Sequence, residues 1–252
     1  MSIAKDKAKK QNGNARRIKF SNLIAIVVCA VCVSGIIISF EQIRINNSVI
    51  DAARDYYASL AKEVHVENTP DLSKVMQIND KATSWITSLD GLIDYPVIDA
   101  DYYGDYLNIL PDSSANACGS LFLDVQSKSD FSGRLNIVYG KIIKEDLMLG
   151  SITGYKKQSY FDENPSMLFF TDFGRYRIEL IYGCEITGEE WRNRGFSYEH
   201  NIDVLLGYAS SNSMFVSDKE YGEDEKIFVL SQVDNDFMGK RFFLVGIMTE
   251  LN

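Results

Sequence analysis

Two histidines and four cysteines are the side chains in this 252-residue sequence that most readily act as nucleophiles, bases or soft metal ligands. A zinc finger or an iron–sulfur cluster needs four thiol or imidazole ligands gathered at one point, and a disulfide-rich miniprotein needs several cysteine pairs, which six residues scattered over positions 29–200 do not offer. The sequence also contains no HExxH pair and no glycine-rich phosphate loop ending in Lys-Ser/Thr. We therefore expect neither a metal site nor a cofactor. The six residues are Cys29, Cys32, His65, Cys118, Cys184 and His200.

The positions of these residues in the sequence do not predict a reactive site. His65 lies in a break between two helical patterns and His200 lies in a long insertion, so both are expected at the surface. Cys118 and Cys184 have no histidine beside them in the sequence that would activate a thiolate. A disulfide between these two cysteines is compatible with the sequence, but their spacing does not show whether they are close in the fold.

A membrane anchor is predicted near the N-terminus. Residues 1–19 carry seven basic side chains and one acid, and the next 21 residues, from Phe20 to Phe40, carry no charge. A helix of that length spans about 31 Å, the thickness of the hydrocarbon core. A cleaved signal peptide is the alternative, although its apolar region is usually only about 7–15 residues long. The basic flank predicts a cytoplasmic tail at 1–19 and an extracellular location for everything after Phe40.

The region after the span is strongly acidic. Taking the seven basic residues and one acid of the tail out of the net charge of −9 leaves −15 for the rest of the chain. Such a charge disfavours a nucleic-acid partner, since phosphates attract basic surfaces.

Helical patterns occupy residues 41–87. From Glu41 to about Val64, apolar residues recur every three or four positions, which predicts an amphipathic helix continuing from the span. A second, short helix is predicted to begin at Asp71 and to end near Thr87. The apolar face of the first helix is predicted to consist of Ile45, Val49, Ala52, Tyr56, Leu60 and Val64.

Short β-type runs dominate residues 88–252. Seven runs rich in β-branched and aromatic residues predict a closed or nearly closed, antiparallel-rich barrel. A long insertion, Gly183 to Glu225, separates the fifth run from the sixth and contains a helical stretch around Asn201–Met214. The runs are Leu92–Ile98, Ser120–Val125, Leu135–Tyr139, Met167–Thr171, Tyr176–Tyr182, Lys226–Ser231 and Phe242–Met248.

Four stretches of this region, taken in order, resemble the class B sortases, membrane-anchored cysteine transpeptidases of Gram-positive surfaces. They are INDKATSWITSLDGLIDYPVIDADYYGDYL at 78–107, GSLFLD at 119–124 followed by NIVYG at 136–140, LMLGSITGYKKQSYFDENPSMLFFTDFGRYRIEL at 147–180, and VLSQVDNDFMGKRFFLVGIM at 229–248. The resemblance implies a mainly β fold with helices. In that fold a sortase-type closed barrel of about eight strands follows N-terminal helices and one transmembrane helix, with a helix-containing insertion before the penultimate strand.

The resemblance also implies which positions carry the chemistry. In the family, a cysteine attacks a Thr–Gly-type bond of a sorting motif, a histidine after a Tyr-Gly pair acts as acid and base, and an arginine stabilises the oxyanion. The cysteine position is Val233 here and the histidine position is Lys141. Only Arg241 matches the family's catalytic set.

A peptide groove is the second expectation from the resemblance. Two adjacent cations, Lys141 and Arg241, would favour an anionic group of a ligand at the end of this groove. A structural cluster in which Lys141 pairs with Asp234 or Asp236 is an equal alternative. The groove residues that the family implies are Leu123, Tyr139, Lys141, Leu230, Ser231, Val233 and Arg241.

These positions predict a pseudosortase, a catalytically inactive member of the family. Its partner would be a sorting-signal, pilin or cell-wall peptide, or an active sortase that it assists. The alternative is a functioning transpeptidase with unusual active-site residues. Lys141 or Ser231 would then be the nucleophile, but a lysine gives a stable amide and a serine without a base is weak.

Overall fold

The apolar runs of the sequence form strands because their β-branched and aromatic side chains pack well on a pleated surface. The computed structural model describes residues 2–67, 69–233 and 238–251, with side chains from residue 28 onward. Twelve strands lie in this part of the chain. They are β1 (His65–Val66), β2 (Thr69–Pro70), β3 (Ala82–Ser88), β4 (Asp94–Asp99), β5 (Leu121–Leu123), β6 (Leu135–Gly140), β7 (Ile142–Lys144), β8 (Leu147–Met148), β9 (Ser166–Thr171), β10 (Gly174–Thr187), β11 (Lys226–Gln232) and β12 (Lys240–Leu251).

Eight of these strands close into one barrel, in the order β10-β12-β11-β6-β5-β4-β3-β9. The β4–β5 and β6–β11 pairs are parallel, and the other neighbours are antiparallel. The predicted antiparallel-rich barrel of about eight strands is therefore confirmed. The remaining four strands form two short ribbons, β1 with β2 and β7 with β8.

Five helices lie in the described part of the chain, of which α3 and α4 were not predicted from the sequence. The insertion between β10 and β11 contains two of them, which confirms the predicted helix-containing insertion. It begins at Gly188 rather than at Gly183, because β10 continues to Thr187. The helices are α1 (Ser2–Val64), α2 (Leu72–Ile78), α3 (Gln158–Glu163), α4 (Gly188–Asn193) and α5 (Ile202–Asn212), with 3-10 turns at Gly150–Lys156 and Glu199–Asn201.

The second predicted helix is correct only at its start. Its N-cap is Asp71, whose carboxylate accepts a backbone hydrogen bond in the first turn, but α2 ends at Ile78 instead of near Thr87. Residues Ala82–Ser88 form β3, which pairs with β4 and β9. This segment, ATSWITS, is rich in strand-forming residues, and the barrel buries Trp85 completely. The barrel therefore begins inside the segment 41–87 that the sequence predicts as helical.

Helix α1 includes the predicted amphipathic helix, but the buried face differs from the predicted one. Ala53 is fully buried, whereas Ala52 is exposed. The Tyr57 hydroxyl donates a 2.6 Å hydrogen bond to Gly119 O, which fixes the rotation of this part of the helix against the barrel. Among residues 28–64 of α1, the buried ones are Ile50, Ala53, Tyr57, Leu60 and Val64.

The chain divides into two units, Met1–Ser48 and Val49–Asn252. The part of α1 whose side chains are described contains an unburied apolar window with a mean hydropathy of 1.7. By length and composition this helix is able to cross a membrane. The side chains of the predicted cytoplasmic tail lie outside the described residues.

Substituting Gly119 by alanine tests the close backbone approach at the residue whose carbonyl accepts the hydrogen bond from Tyr57 of α1. Gly119 has a φ of +68° and a Cβ there would collide with the backbone carbonyls of Tyr106 and Leu107. We expect Gly119→Ala to lower the free energy of unfolding by about 2–4 kcal/mol, from left-handed backbone strain and overpacking. Urea unfolding of the full chain in detergent measures this change.

The matched control is Gly207→Ala in α5, where a Cβ meets nothing within 4 Å. Because alanine is the better helix former, this substitution should leave stability equal or raise it by about 0.5–1 kcal/mol. Equal effects of the two substitutions would contradict the close approach at Gly119.

Candidate functional site

The ends of the parallel strands β6 and β11 define the position of the candidate site. Gln232 lies opposite Gly140 in the pairing register, and Val233 N–H donates a 2.9 Å hydrogen bond to Gly140 O. Lys141 and Val233 therefore follow directly on two aligned strand ends. The neighbouring strand β12 brings in Arg241, one residue before Phe242, whose N–H donates to Gln232 Oε1 at 3.2 Å.

Lys141 and Val233 are both buried among neighbouring residues. Val233 is only 1% exposed and Lys141 only 8% exposed. The Lys141 ammonium donates hydrogen bonds to Asn108 Oδ1 at 3.0 Å and to Ala117 O at 2.9 Å. These oxygens belong to the connection between β4 and β5, so the lysine ties that connection to the end of β6. The alternative partners, Asp234 and Asp236, lie outside the described residues.

Arg241 is held against aromatic rings. Its guanidinium carbon lies 5.0 Å from the centroid of the Trp191 ring and 5.8 Å from that of the Tyr139 ring. Trp191 belongs to α4 in the insertion, and Tyr139 belongs to β6 in the barrel. Cation–π attraction thus helps to hold the insertion against the barrel wall at this point.

A cavity of about 450 Å³ lies where the insertion meets this wall. Five aromatic rings line it, together with two guanidiniums, a serine hydroxyl and a glutamine amide. Of the seven groove residues predicted from the sequence, Tyr139 and Arg241 line this cavity. The lining residues are Tyr103, Gln126, Tyr139, Gly188, Trp191, Arg192, Gly195, Phe196, Ser197, Tyr198 and Arg241.

The other predicted groove residues lie elsewhere in the wall. Leu123 and Leu230 both pair with Val138 and are buried, so they share the strand face opposite to that of Tyr139. Ser231 pairs with Tyr139, but it is fully buried and its hydroxyl donates to Gln232 O at 3.1 Å. Its hydroxyl is therefore not presented to the cavity as a nucleophile.

Sequence reasoning missed the part of the site that comes from the insertion. Trp191, Phe196 and Tyr198 form most of its aromatic surface, with centroids of Trp191 and Phe196 5.3 Å apart. The dense run WRNRGFSY at 191–198 was the available signal, since three aromatic residues and two arginines in eight positions are unusual in a loop. Its contacts with β6 and β12 were not readable from the sequence.

A buried carboxylate, Asp124, organises the floor of this site. The Tyr103 hydroxyl donates to both of its oxygens, at 2.9 and 2.8 Å, and Gln126 N–H donates at 2.7 Å. The Tyr139 hydroxyl lies 3.1 Å from Ser197 Oγ, and both belong to the same network. Burial raises the pKa of the Asp124 carboxyl above its usual 3.8, although these donors oppose the shift.

The two cysteines of the folded domain do not supply a nucleophile. Cys118 and Cys184 are both free and both buried, so the disulfide that the sequence allowed is not formed. Burial raises the pKa of the Cys118 thiol and raises that of Cys184 to about 12. Thiols with such pKa values remain protonated and unreactive near neutral pH.

The two histidines also lie outside the cavity lining. His200 is exposed, as predicted, and stacks on Tyr198 with centroids 5.5 Å apart. The prediction of a solvated surface position was wrong for His65. Its Nδ1 lies 2.7 Å from Ala61 O and its Nε2 3.5 Å from Asp94, because the end of α1 packs on β4 there. Among the described residues, no thiol or imidazole lines the cavity.

The pH dependence of stability tests the buried state of Asp124. Because its pKa is raised in the folded protein, the unfolded state ionises first, so the unfolding free energy falls as the pH rises from about 3.8 through the folded pKa. We expect Asp124→Asn to remove this downward contribution. Urea unfolding of both proteins from about pH 3 to pH 7 measures the difference between their slopes.

Asp130→Asn is the control, because a backbone hydrogen bond from Ser132 lowers the pKa of exposed Asp130. A lowered pKa gives stability that is present above the ordinary pKa and is lost as the pH falls, so this substitution should change the slope in the opposite sense. Slopes that change in the same sense for both variants would refute the buried position of Asp124.

Comparisons with known proteins show that the chain is similar to class B sortases in sequence and in fold. No family model matches the chain. The chain is 22% identical over 194 residues to sortase B of Listeria monocytogenes, a match that covers 76% of this chain and 79% of the relative. A Staphylococcus aureus sortase B–substrate complex superposes with a TM-score of 0.71 at 20% identity, covering 80% of this chain and 98% of that one. A sortase B complexed with triglycine gives 0.70 at 20% identity, covering 80% and 99%. In sequence similarity and in fold, the chain is a class B sortase-like protein.

Proposed function

We propose that this protein is a pseudosortase: a class B sortase-like barrel that binds a peptide in the cavity between the insertion and β6 and does not transfer acyl groups. Its partner is a sorting-signal, pilin or cell-wall peptide, or an active sortase that presents one. The observation that carries the proposal is the chemistry at two positions. By the motif resemblance, Val233 and Lys141 stand where the family has its cysteine and its histidine.

The surroundings of these two residues support a loss of catalysis. Val233 has no lone pair with which to attack a carbonyl carbon. The Lys141 ammonium donates to two oxygens of the β4–β5 connection and is almost fully buried. Neither residue lines the cavity. A general base must come within hydrogen-bonding reach of the proton that it removes, and an amine tied in this way does not meet this requirement.

Peptide binding is supported by the cavity and by the similar structures. One of these is a sortase B–substrate complex and another is a sortase B complexed with triglycine. A volume of about 450 Å³ lies in the ordinary range for ligand pockets, and its lining is mainly aromatic with a few polar groups. These features suit an extended segment of a peptide.

A membrane anchor completes the proposal. The apolar part of α1 is long enough to span a bilayer, and seven basic residues precede it in the sequence. By the positive-inside rule, the N-terminus then lies in the cytoplasm and the barrel lies outside the cell. An anchored barrel in that location meets secreted peptides as they emerge from the membrane.

Binding without cleavage is the first test. We expect a class B sorting-signal peptide to bind the full chain in detergent, by calorimetry, and to remain intact in mass spectra after long incubation. Tyr198→Ala should weaken binding roughly 2- to 10-fold, because it removes one aromatic contact at the cavity mouth. Phe173→Ala is the control, since Phe173 is 66% exposed and does not line the cavity. No binding, or an acyl-enzyme in the spectra, would refute the proposal.

Restoring the reactive residues is the second test. We expect the double variant Val233→Cys/Lys141→His to remain inactive toward a fluorogenic sorting-signal peptide, because position 233 is buried and neither side chain lines the cavity. The single variants serve as controls. Transpeptidation by the double variant alone would show instead that only the chemistry was lost and that the catalytic geometry is intact.

A further inference from the structure

Ser197 is the residue through which the insertion reaches the hydrogen-bond network of the barrel wall. It lies between α4 and the 3-10 turn at Glu199–Asn201, and it lines the cavity. Its Oγ lies 3.1 Å from the Tyr139 hydroxyl of β6 and accepts a 3.3 Å hydrogen bond from Trp191 Nε1–H of α4. A single hydroxyl therefore joins a residue of the barrel to a residue of the insertion.

The buried carboxylate Asp124 belongs to the same network. Burial raises the pKa of its carboxyl, and hydrogen bonds from the side chains of Tyr139, Tyr103 and Ser197 oppose this shift. A serine hydroxyl has one proton and two lone pairs, so Ser197 is able to donate to Asp124 while its oxygen accepts from Trp191. Because each donor stabilises a buried carboxylate, Asp124 favours the position of the insertion in which Ser197 reaches it.

The residues on either side of Ser197 differ in burial. Phe196 is fully buried, whereas Tyr198 is exposed and lines the cavity. The chain turns sharply just before this pair, because Gly195 has a φ of +63° and a Cβ there would lie 2.6 Å from Asn201 Nδ2. A hydrogen bond that holds Ser197 therefore also holds the backbone from which the exposed ring of Tyr198 starts.

A second contact holds the other end of this loop, but it lies in water. Glu199 Oε2 accepts a 3.0 Å hydrogen bond from Arg134 N–H, in the connection between β5 and β6, and Glu199 is exposed. The partners of Ser197, in contrast, are the buried side chains of Tyr139 and Trp191. A hydrogen bond to a buried group is the more costly one to lose. We therefore expect the Ser197 contact to decide the position of the loop.

The indole of Trp191 depends on the same hydroxyl. Trp191 is only 4% exposed, and its N–H donates to Ser197 Oγ. A buried indole N–H without an acceptor is unfavourable, so loss of the hydroxyl would move the ring or admit water. Either change alters the cavity, because Trp191 is part of its lining.

We propose that Ser197 is a positioning residue for peptide binding: its hydroxyl docks the insertion on the barrel wall and sets the positions of the Trp191 and Tyr198 rings. This inference rests on the proposed function, because it names the residue that prepares the cavity for its peptide. The effect of Ser197 on affinity is exerted through these two rings.

Affinity for the sorting-signal peptide tests this role. By calorimetry on the full chain in detergent, we expect Ser197→Ala to weaken binding about 3- to 10-fold, the order of one lost hydrogen bond. Ser197→Thr keeps the hydroxyl and should restore most of the affinity. Ser211→Ala is the matched control and should bind like the unaltered protein. Ser211 lies in α5 of the same insertion, donates to Gly207 O at 2.9 Å and does not line the cavity.

The fluorescence of Trp191 reports on the position of its ring in the absence of peptide. The chain has two tryptophans, and the emission of Trp191 is obtained as the difference from the Trp191→Phe variant. We expect Ser197→Ala to shift this emission and to increase its quenching by acrylamide. Ser197→Thr and Ser211→Ala should leave both properties unchanged. Circular dichroism checks that each variant is folded, so a loss of stability is not mistaken for a moved ring.

A double-mutant cycle tests whether Ser197 acts through the ring of Tyr198. We expect Ser197→Ala to reduce affinity less in the Tyr198→Ala protein than in the unaltered protein, because the ring that the hydroxyl positions is already absent. Fully additive losses would contradict an action through this ring.

The outcomes separate this inference from the proposed function. Peptide binding that is equally tight in the unaltered protein and in Ser197→Ala would refute the positioning role and leave the pseudosortase proposal standing. Unchanged emission of Trp191 in Ser197→Ala would refute the positioning role as well. Failure of the unaltered protein to bind the peptide would refute both proposals.

Discussion

The parallel pairing of β6 with β11 is the contact on which the candidate site depends. Parallel strands cannot be joined by a tight hairpin, so the chain must travel around the barrel before β11 returns beside β6. The insertion after β10 forms part of that path and is therefore delivered to the end of β6. The register, with Gln232 opposite Gly140, then makes Lys141 and Val233 neighbours and brings β12 with Arg241 to the same edge.

Tyr139 links the two charged groups of the site, the Arg241 guanidinium and the Asp124 carboxyl. Tyr139 has its ring near the Arg241 guanidinium, and its hydroxyl takes part in the Asp124 network through Ser197. Burying a carboxylate is costly unless donors surround it, and the donors to Asp124 come from several segments of the chain. Keeping Asp124 satisfied therefore requires these segments to stay together, and the walls of the cavity are held in place as a consequence.

Sequence patterns predicted most of the strands of the barrel. They failed where one pattern of residues is compatible with both a helix and a strand. The predicted run Leu135–Tyr139 is apolar except for Asn136, and its β-branched and aromatic residues and short length favour a buried strand. The segment Ala82–Ser88 follows a capped helix without a strong break, and its strand pairing with β4 and β9 is a long-range effect. In α1, the rotation is decided by the hydrogen bond from Tyr57 to Gly119 O, a contact across the fold that periodicity does not contain.

The sequence predicted only those residues of the candidate site that belong to recognisable sequence motifs. Tyr139, Lys141, Val233 and Arg241 came from motifs that can be aligned along the chain. The run of aromatic residues and arginines at 191–198 marks the wall formed by Trp191 and its neighbours, but its position depends on how the insertion folds back, which no local pattern shows. The predicted pair of adjacent cations illustrates this limit: Arg241 lines the cavity, whereas the amine of Lys141 is directed to Asn108 and Ala117.

In the proposed function, Val233 and Lys141 replace a reactive cysteine and histidine, so these two positions no longer need to stay accessible to a substrate. A catalytic thiol and imidazole have to reach the substrate, which keeps polar groups accessible and incompletely packed. A fully buried valine contributes about 1.5–3 kcal/mol of hydrophobic stabilisation, and Val233 is 1% exposed. In the proposed function, buried Val233 and the two hydrogen bonds of Lys141 therefore stabilise the fold at the positions where the family has its reactive residues. Stability gained at the expense of activity is a common trade-off in enzymes.

Side chains at the mouth of the cavity, unlike Val233 and Lys141, are partly exposed. Tyr103 and Tyr198 remain 44% and 47% exposed, and exposed rings add little to the stability of the barrel. Stability accounts for Tyr103, which donates to Asp124, and for Arg241, which packs on two rings. It gives less reason for the exposed ring of Tyr198 and the exposed guanidinium of Arg192 at the same cavity. The proposed peptide binding would give these two exposed groups a role, because aromatic rings and guanidiniums are the groups most often found at binding hot spots. Under the proposed function, a peptide binds in the cavity beside the strand ends that carry Lys141 and Val233, and no acyl transfer follows.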